Sequence, residues 1–432
     1  MADANQWLQD LKAGAYDGAF RKLYADNDRV VQAQRVRYAE AVEQFTALFG
    51  SGRELKLYSA PGRTEIGGNH TDHNHGVVMA ASVNLDIIAV VAQTGNGTVR
   101  VKSKGFDKTD TVDLASLEPH KAETGRSASL IRGVAAGIVN AGGKVGGFDA
   151  YTTSDVLRGS GLSSSAAFEV AMGAIFNGEF NEDRFTPVEI AQMSQYAENV
   201  FFGKPSGLMD QMACSVGSAI TIDFADPAAP VVNKVTFDIA KHGYCLCITD
   251  TKGSHADLTD EYAAVRSEME AVAGFFGKAV LRDVPEEEFF AHIAQVRAKL
   301  GDRAVLRAIH FFADSRRAGQ LCQAVKEDRF EDFLHLITDG GHSSFEYNQN
   351  AYSAKHPTQQ GVPVGLALSQ KVLDGCGAWR LQGGGFAGTI QAFVPQDRLE
   401  AYRAALDGVF GPGSCHVLSV RNYGAVCVTA GL

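Results

Sequence analysis

Hydrophobic and polar residues follow patterns along this chain that predict a mixed α and β protein. Helical spacing with mixed charge runs from about residue 5 to 49, which predicts one or two packing helices before a first strand, KLYSA. The runs DIIAVVAQ and TVRVKS are short and β-branched, and GNG at residues 95–97 separates them. This arrangement predicts a β-hairpin.

The rest of the chain alternates helical and strand-like segments. Helical patterns recur over five stretches, at about residues 127–140, 163–178, 187–201, 256–275 and 303–338. Strand-like runs are GYCLCITDT, GTIQAFVP, CHVLSV and YGAVCVT. A loop-like segment, DFADPAAPVV, precedes the first of these runs and predicts two domains, 1–240 and 241–432. The expected fold class is α/β (α+β), with sheets partly covered by helices.

Composition and charge narrow the function classes. The chain has 432 residues, 45% of them hydrophobic, which suffices for two globular domains. A net charge of −10 supplies no basic surface for general nucleic-acid binding and favours a small-molecule partner. Because no apolar run reaches about 18 residues and the N-terminus lacks a signal-peptide pattern, we expect a cytoplasmic protein without a membrane partner. We also expect a monomer or a weak homo-oligomer. Seven scattered cysteines predict reduced thiols.

The strongest chemical signal is GSGLSSSAA at residues 159–167. Apolar residues recur at helical spacing after it, which predicts that the run lies at a helix start. Unsatisfied backbone N–H groups and the helix dipole favour an anion there, and glycines allow its close approach. The predicted phosphate loop comprises Gly159, Ser160, Gly161, Leu162, Ser163, Ser164, Ser165 and Ala166. A glycine turn with a serine N-cap is the alternative interpretation.

Two further segments carry candidate chemistry. In AENVFFGKPSGLMDQ, Asp210 follows a Gly-Leu-Met turn and Glu198 lies on the preceding helix, although an aspartate after a turn is often only a helix N-cap. In WRLQGGGFAGTI, the glycines Gly383, Gly384 and Gly385 would let a backbone loop approach a ligand. A simple turn between a helix and a strand explains these glycines equally well. Together with the phosphate loop, they predict a wall of a nucleotide site.

The stretch PGRTEIGGNHTDHNHG, residues 61–76, places three histidines and an aspartate within six residues. The side chains of His70, Asp72, His73 and His75 are suitable ligands for a transition metal. The same groups suit sugar hydroxyls, because a charged carboxylate accepts strong and directional hydrogen bonds. No other segment resembles the second half of a hydrolytic metal site, which disfavours the metal.

These segments, in this order, resemble the galactokinase branch of the GHMP kinase superfamily from about Leu57 to Thr429. APGR with GGNHTDHNHG resembles its sugar signature, GSGLSSSAA its phosphate loop and FFGKPSGLMDQ its catalytic-aspartate segment. SHADLTDEYAAVRSEME resembles its sugar-contacting tyrosine segment, and RLQGGGFAG its C-terminal glycine motif. The resemblance implies a two-domain fold, ribosomal-S5-domain-2-like with a left-handed βαβ unit and then ferredoxin-like, with the active site in the cleft between them.

The resemblance also implies roles for individual residues. Asp210 would take the proton of a sugar's anomeric hydroxyl, and Arg63 would hold Asp210 ionised and offset charge at the reacting oxygens. Ser165 and Glu198 would hold Mg²⁺, and ATP would donate the phosphoryl group. The residues implied to bind the sugar are Asn69, His70, Asp72, Gly207 and Tyr262.

Several positions depart from the family pattern. The sugar signature, usually GEHTDY, reads GNHTDH here, so Asn69 replaces the glutamate that meets the sugar's C6 hydroxyl. A neutral Asn69 would not repel a C6 carboxylate, which makes galacturonic acid a competing substrate. On this hypothesis, Asn69→Glu would leave galactose turnover intact or better and would suppress uronic-acid turnover. Ser206, Ala387 and Leu157 are further departures, and the usual Glu-Leu-Asp is missing from VGLALSQKVL.

Three function classes follow from these observations. The leading one is an ATP-dependent galactose 1-kinase, with a galacturonate 1-kinase or another sugar 1-kinase of the same family as its alternative. The second is a sugar and ATP sensor without turnover, which the intact phosphate loop, Asp210 and Arg63 disfavour. The third is a metal hydrolase built on the histidine cluster, which predicts tightly bound zinc or manganese.

Overall fold

Two β-sheets with helices packed on both faces make up the computed structural model, which describes residues 3–156, 161–204, 206–253, 258–428 and 432. Its helices over these residues are α1 Ala4–Ala13, α2 Asp17–Leu23, α3 Asp28–Phe49, α4 Ser127–Asn140, α5 Ser164–Phe180, α6 Pro187–Tyr196, α7 Met209–Val216, α8 Thr259–Phe275, α9 Glu286–Ala291, α10 Ile293–Leu300, α11 Asp302–Lys326, α12 Phe330–Ser343, α13 Gly361–Leu373 and α14 Leu399–Phe410. Its strands are β1 Lys56–Gly67, β2 Val77–Gln93, β3 Thr98–Ser103, β4 Asp110–Asp113, β5 Phe148–Ser154, β6 Ala219–Asp223, β7 Val231–Val235, β8 Tyr244–Asp250, β9 Ala378–Gln382, β10 Thr389–Pro395, β11 Cys415–Leu418 and β12 Val426–Cys427.

The first sheet runs in the order β12-β1-β2-β5-β3-β4, and β6 and β7 extend it from the beginning of β2. Strands β3 and β5 are parallel, whereas the other strand pairs described in this sheet are antiparallel. The second sheet is antiparallel, in the order β11-β8-β10-β9. The mixed α and β class predicted from the sequence pattern is confirmed.

The long strands β1 and β2 are buried on both faces, which explains the nearly continuous apolar sequence of β2. Alternate residues of a strand point to opposite faces. Leu57 and Ile88 accordingly pack with α1, α2 and α3 on one face. Tyr58 and Ala89 pack with α4, α5 and α6 on the other. The N-terminal segment, predicted as one or two helices, forms three that cover the first face.

Helices α11 and α12 join the two sheets. Leu321 of α11 and Phe333 of α12 share one buried cluster with Met79 of the first sheet and Phe393 of the second. The predicted boundary near residue 240 falls between β7 and β8, where the chain passes from one sheet to the other, and β12 returns to pair with β1. The division into 1–240 and 241–432 stays a prediction.

Two local predictions are wrong for physical reasons. The expected hairpin does not form between β2 and β3, because the buried strand β5 lies between them and pairs with both. The predicted helix 303–338 is two helices, since Asp328 adopts a left-handed backbone conformation between α11 and α12.

None of the helices that the structure describes combines the length and apolar character needed to cross a membrane.

Candidate active site

Arg63 and Asp210 form an ion pair between β1 and α7. Asp210 lies in the first turn of α7, and Arg63 reaches it from β1. Arg63 Nε donates to Asp210 Oδ1 at 2.7 Å and Nη2 donates to Oδ2 at 2.8 Å, so the guanidinium binds the carboxylate in a bidentate geometry. Arg63 is buried, whereas the Asp210 side chain keeps 30% exposure. A ligand therefore has access to the carboxylate but little to the guanidinium.

The start of α5 adjoins this pair. Ser163 precedes the helix in a left-handed conformation, and its hydroxyl donates to Asp210 Oδ2. Arg63 Nη1 donates to the Gly161 carbonyl oxygen, and the Arg63 N–H donates to the Leu162 carbonyl oxygen at 3.1 Å. The backbone N–H groups of the first helical turn, which attract anions, thus lie beside an ionisable carboxylate.

The phosphate-loop residues differ in what they can offer a ligand. The side chains of Leu162 and Ala166 are buried in the core, so only their backbones are available to a phosphate. Ser164 and Ser165 are partly exposed at the helix start. Gly159 and Ser160 lie outside the described residues, as does Leu157.

The ionisation of Asp210 is decided by its neighbours. Burial by itself would raise the pKa of Asp210, but the charge of Arg63 and the hydrogen bonds from Arg63 and Ser163 lower it below its ordinary value. The carboxylate is therefore ionised at neutral pH, which suits a proton acceptor.

Glu198 and Ser165, the predicted metal holders, are also adjacent. Glu198 lies in a π-helical turn, Ala197–Phe202, that follows α6. Ser165 Oγ lies 3.4 Å from Glu198 Oε1. Glu198 Oε2 accepts from Ser206 Oγ at 2.6 Å and from Gln211 Nε2 at 2.8 Å, and Lys204 Nζ lies 2.8 Å from Oε1.

The sugar signature is folded around the glycine-rich loop between β9 and β10. His70 Nε2 donates to the Gly384 carbonyl oxygen at 2.9 Å, which leaves its Nδ1 as an acceptor. Burial and the neighbouring His73 lower the pKa of His70 to about 4, so the ring is neutral. Asp72 packs against Gly207, where an added Cβ would lie 2.1 Å from Asp72 Oδ2. Gly207, which is distant in sequence, thus lies in the same region as His70 and Asp72.

Tyr262 closes the same region. Its hydroxyl donates to the Gly385 carbonyl oxygen at 2.9 Å, and its ring packs edge-on to Phe386. A Cβ at Gly384 would lie 2.6 Å from the Tyr262 ring, so the loop needs glycine there. Gly383 and Gly385 adopt positive φ angles. The described contacts place this loop against the sugar signature and also near Gly161, whose added Cβ would lie 3.0 Å from Thr389 Oγ1.

The histidines do not converge as metal ligands. The rings of His70 and His73 are tilted and their centroids are 5.9 Å apart. Among the residues that the structure describes, no three His, Cys, Asp or Glu side chains are grouped so that they could hold a metal ion. The arrangement therefore gives the metal-hydrolase alternative no geometric support.

Two family models match this chain, and both agree with the site. They are the galactokinase galactose-binding signature over residues 43–93 and the GHMP kinases N terminal domain over residues 129–218. The galactokinase of Actinobacillus pleuropneumoniae is 31% identical over 364 residues, covering 84% of this chain and 91% of the relative. That of Streptomyces coelicolor is 30% identical over 373 residues, covering 85% and 92%. This chain belongs to the galactokinase family.

Solved structures place this galactokinase-family chain in the GHMP kinase fold. Lactococcus lactis galactokinase complexed with galactose superposes with a TM-score of 0.76 at 24% identity, covering 90% of this chain and 99% of that one. Methanococcus jannaschii mevalonate kinase gives a TM-score of 0.59 at 13% identity, with 85% and 98% covered. The fold and family expected from the sequence motifs are confirmed, and the chain is a sugar kinase, which is a phosphotransferase.

Asn69 is where the structure departs most from the expected galactokinase site. Asn69 has 0% exposure, and its Nδ2 donates to Glu65 Oε1 at 2.9 Å and to the Gly383 carbonyl oxygen at 2.8 Å. Its Oδ1 accepts from Asn350 Nδ2 at 2.8 Å, and its backbone N–H donates to Asp314 Oδ2 at 2.7 Å. The predicted contact of Asn69 with a sugar hydroxyl is therefore not available in this structure, since protein groups hold both ends of the amide.

Glu65 is a residue that sequence reasoning missed. It lies two residues after Arg63 on β1, hence on the same face of the strand, and this spacing could have drawn attention to it. Glu65 is buried, and its Oε1 accepts from Arg380 Nη2 at 2.8 Å as well as from Asn69. The family pattern has a carboxylate at position 69. In this chain position 69 is an amide, and the carboxylate belongs to its hydrogen-bonding partner, Glu65.

Glu169 and Gln211 were also missed. Glu169 is a carboxylic acid in the otherwise apolar stretch of α5, a pattern that predicts a buried acid. Gln211 Nε2 donates to Glu169 Oε2 at 3.0 Å and to Glu198 Oε2 at 2.8 Å. Burial and the charge of Glu198 raise the pKa of Glu169 well above its ordinary value. Gln211 therefore connects a buried acid in the core to the predicted metal holder.

Glu65 makes stability depend on pH in a defined direction. Burial raises the pKa of Glu65 from 4.5 to about 7, against the opposing charges of Arg380 and Arg63. The folded state then binds more protons than the unfolded state. The contribution of Glu65 to the free energy of unfolding is therefore full below about pH 4.5 and is lost as pH rises through about 7. We expect Glu65→Gln to remove it, so that wild type loses stability relative to the variant over this range. Denaturant unfolding at several pH values measures this difference, and a pH-independent difference would contradict the assignment.

Proposed function

We propose that this protein transfers the γ-phosphoryl group of ATP to the anomeric hydroxyl of D-galactose, giving galactose 1-phosphate and ADP. The observation that carries the proposal is the contact of Asp210 with Arg63 and Ser163 at the start of α5. It puts an ionised carboxylate beside a helix N-terminus suited to phosphate. Family membership supplies the sugar-kinase chemistry, and galactose is the sugar bound in the Lactococcus lactis relative.

The chain's own residues support each part of the transfer. Asp210 would accept the proton of the attacking hydroxyl, because its carboxylate is ionised and partly exposed. Arg63 keeps Asp210 ionised and places a fixed positive charge near the reacting oxygens. The N–H groups at the start of α5 would orient the phosphates, so that the protein contributes mainly positioning and electrostatics.

Ser165 and Glu198 fit the expected magnesium ion by their chemistry. Both offer hard oxygens, and they face each other beside the phosphate helix. Magnesium in kinase sites uses one or two protein ligands together with substrate phosphates, so this pair suffices. When bound there, the ion would neutralise charge on the phosphate oxygens. The cytoplasmic location and the monomeric or weakly associated state stay predictions.

Galactose is better supported as the substrate than galacturonic acid, because the structure does not favour a contact between Asn69 and the C6 group of a sugar. The argument for galacturonic acid required Asn69 to face the C6 group. Asn69 is instead enclosed by Glu65, Gly383 and Asn350. His70, Asp72, Gly207 and Tyr262 stay the proposed sugar contacts, with Asp72 as the charged acceptor for hydroxyl groups.

A substrate panel tests the proposed function directly. Coupled ADP release is measured with ATP, Mg²⁺ and each of galactose, glucose, mannose and galacturonic acid. We expect galactose to give the highest kcat/KM, because Asp72 and Asp210 are two acidic groups near the sugar region and would repel a uronate. If kcat/KM were higher for galacturonic acid than for galactose, the protein would be a galacturonate 1-kinase instead. Binding of sugar and ATP without ADP release would instead indicate a sensor.

A further inference from the structure

Lys204 has no role in the site as described so far, although it touches one of its central acids. It follows the π-helical turn after Gly203, and its Nζ lies 2.8 Å from Glu198 Oε1. The Lys204 side chain is 58% exposed, whereas that of Glu198 is 3% exposed. An exposed lysine thus contacts a buried carboxylate.

The oxygen that Lys204 holds is the one on which the metal proposal depends. Ser165 Oγ faces the same atom, Glu198 Oε1, at 3.4 Å. Glu198 Oε2 is already engaged by Ser206 and Gln211. An ion bound between Ser165 and Glu198 would therefore compete with the ammonium group for Oε1.

A buried carboxylate stays ionised more easily when a cation is paired with it, which gives a physical reason for the position of the Lys204 ammonium. An unpaired buried charge is costly, so Lys204 stabilises Glu198 when no other cation is present. Once an ion takes over Oε1, ammonium and ion repel each other at this distance. The lysine stem is long and flexible, and the start of α5 is within its reach because Ser165 of that helix faces the same oxygen, Glu198 Oε1. Phosphates bound at the start of α5 would be the anions available to Lys204.

We propose that Lys204 is a nucleotide-contacting residue that exchanges partners: it neutralises Glu198 in the nucleotide-free protein and binds a phosphate oxygen of ATP when a metal ion occupies Glu198. This inference rests on the proposed function and extends it, because it adds a phosphate ligand outside the glycine-serine loop. It also assigns the metal site a built-in competitor.

The test is equilibrium binding of ATP by calorimetry, with EDTA and with increasing Mg²⁺, for wild type, Lys204→Met and Lys204→Arg. We expect Lys204→Met to weaken ATP binding by about 10- to 100-fold, the value of a charge-assisted hydrogen bond. The Mg²⁺ concentration at half-saturation should shift lower in Lys204→Met, because the competing ammonium is gone. Lys204→Arg keeps the charge and should lie closer to wild type in both readouts.

Lys241→Met is the matched control, since Lys241 also pairs with an acid, Asp328 at 2.6 Å, and its side chain is 51% exposed. Equal weakening by both variants, or unchanged ATP affinity in a folded Lys204→Met protein, would overturn the proposal. A wild-type protein that releases no ADP with any sugar would instead refute the proposed function. Thermal unfolding establishes folding, and Lys204→Arg carries the test if Lys204→Met does not fold.

Discussion

Asp210→Asn should lower kcat for galactose phosphorylation by about 10²- to 10⁴-fold, the range for loss of a general base. The asparagine keeps the shape and can still accept one bond from Arg63, so the geometry of the α5 start should persist. It cannot take the hydroxyl proton, and it leaves the buried guanidinium without its counter-charge. Because the loss concerns proton transfer, ATP binding measured by calorimetry should change far less than kcat.

Asp223→Asn provides a matched control for this variant. Asp223 lies at the end of β6 and pairs with Arg282 at 3.1 Å. Its side chain is 33% exposed, which is close to the exposure of the Asp210 side chain. We expect it to keep nearly wild-type kcat. Assays must run well below the Tm of each variant, since Asp210→Asn also removes a partly buried ion pair. An Asp210→Asn enzyme with kcat within about tenfold of wild type would remove Asp210 as the base.

Asn69→Glu should destabilise the fold by about 3–5 kcal/mol, the scale for an uncompensated buried charge, instead of improving galactose turnover. The new carboxylate would face Glu65, which now accepts a bond from Asn69 at 2.9 Å. The Gly383 carbonyl oxygen would lose its donor. The additional methylene would also have to fit into a site with 0% exposure. Denaturant unfolding gives the free energy of unfolding of wild type and variant.

Two companion variants separate charge from size. Asn69→Gln has the length of glutamate without its charge, so it should lose only the packing part of the stability. Glu65→Gln combined with Asn69→Glu removes the like-charge contact and should recover part of the loss in a double-mutant cycle. If Asn69→Glu were as stable as wild type and had a higher kcat/KM for galactose, Asn69 would face the sugar after all.

Short segments of sequence were enough for the family and its sugar-kinase chemistry. GSGLSSSAA and GLMDQ each carry local physics: a helix start that attracts anions and an aspartate in a first helical turn. The structure brings Arg63 to Asp210, and their catalytic roles stay a prediction. Hydrophobic patterning likewise predicted most helices and strands, because burial imposes its period on the chain. The hairpin between β2 and β3 failed, since its pattern carries no information on the insertion of β5.

Long-range packing decided what local sequence left open. Asn69 looked like a sugar contact until Glu65, Asn350 and Gly383 were seen to enclose it, and two of these partners lie about 300 residues away along the chain. The sequence analysis gave Lys204 no role, and its contact with Glu198 is visible only in the folded chain. Hydrogen bonds and ion pairs act over a few ångströms, so the role of a polar residue depends on neighbours that only the folded chain assembles.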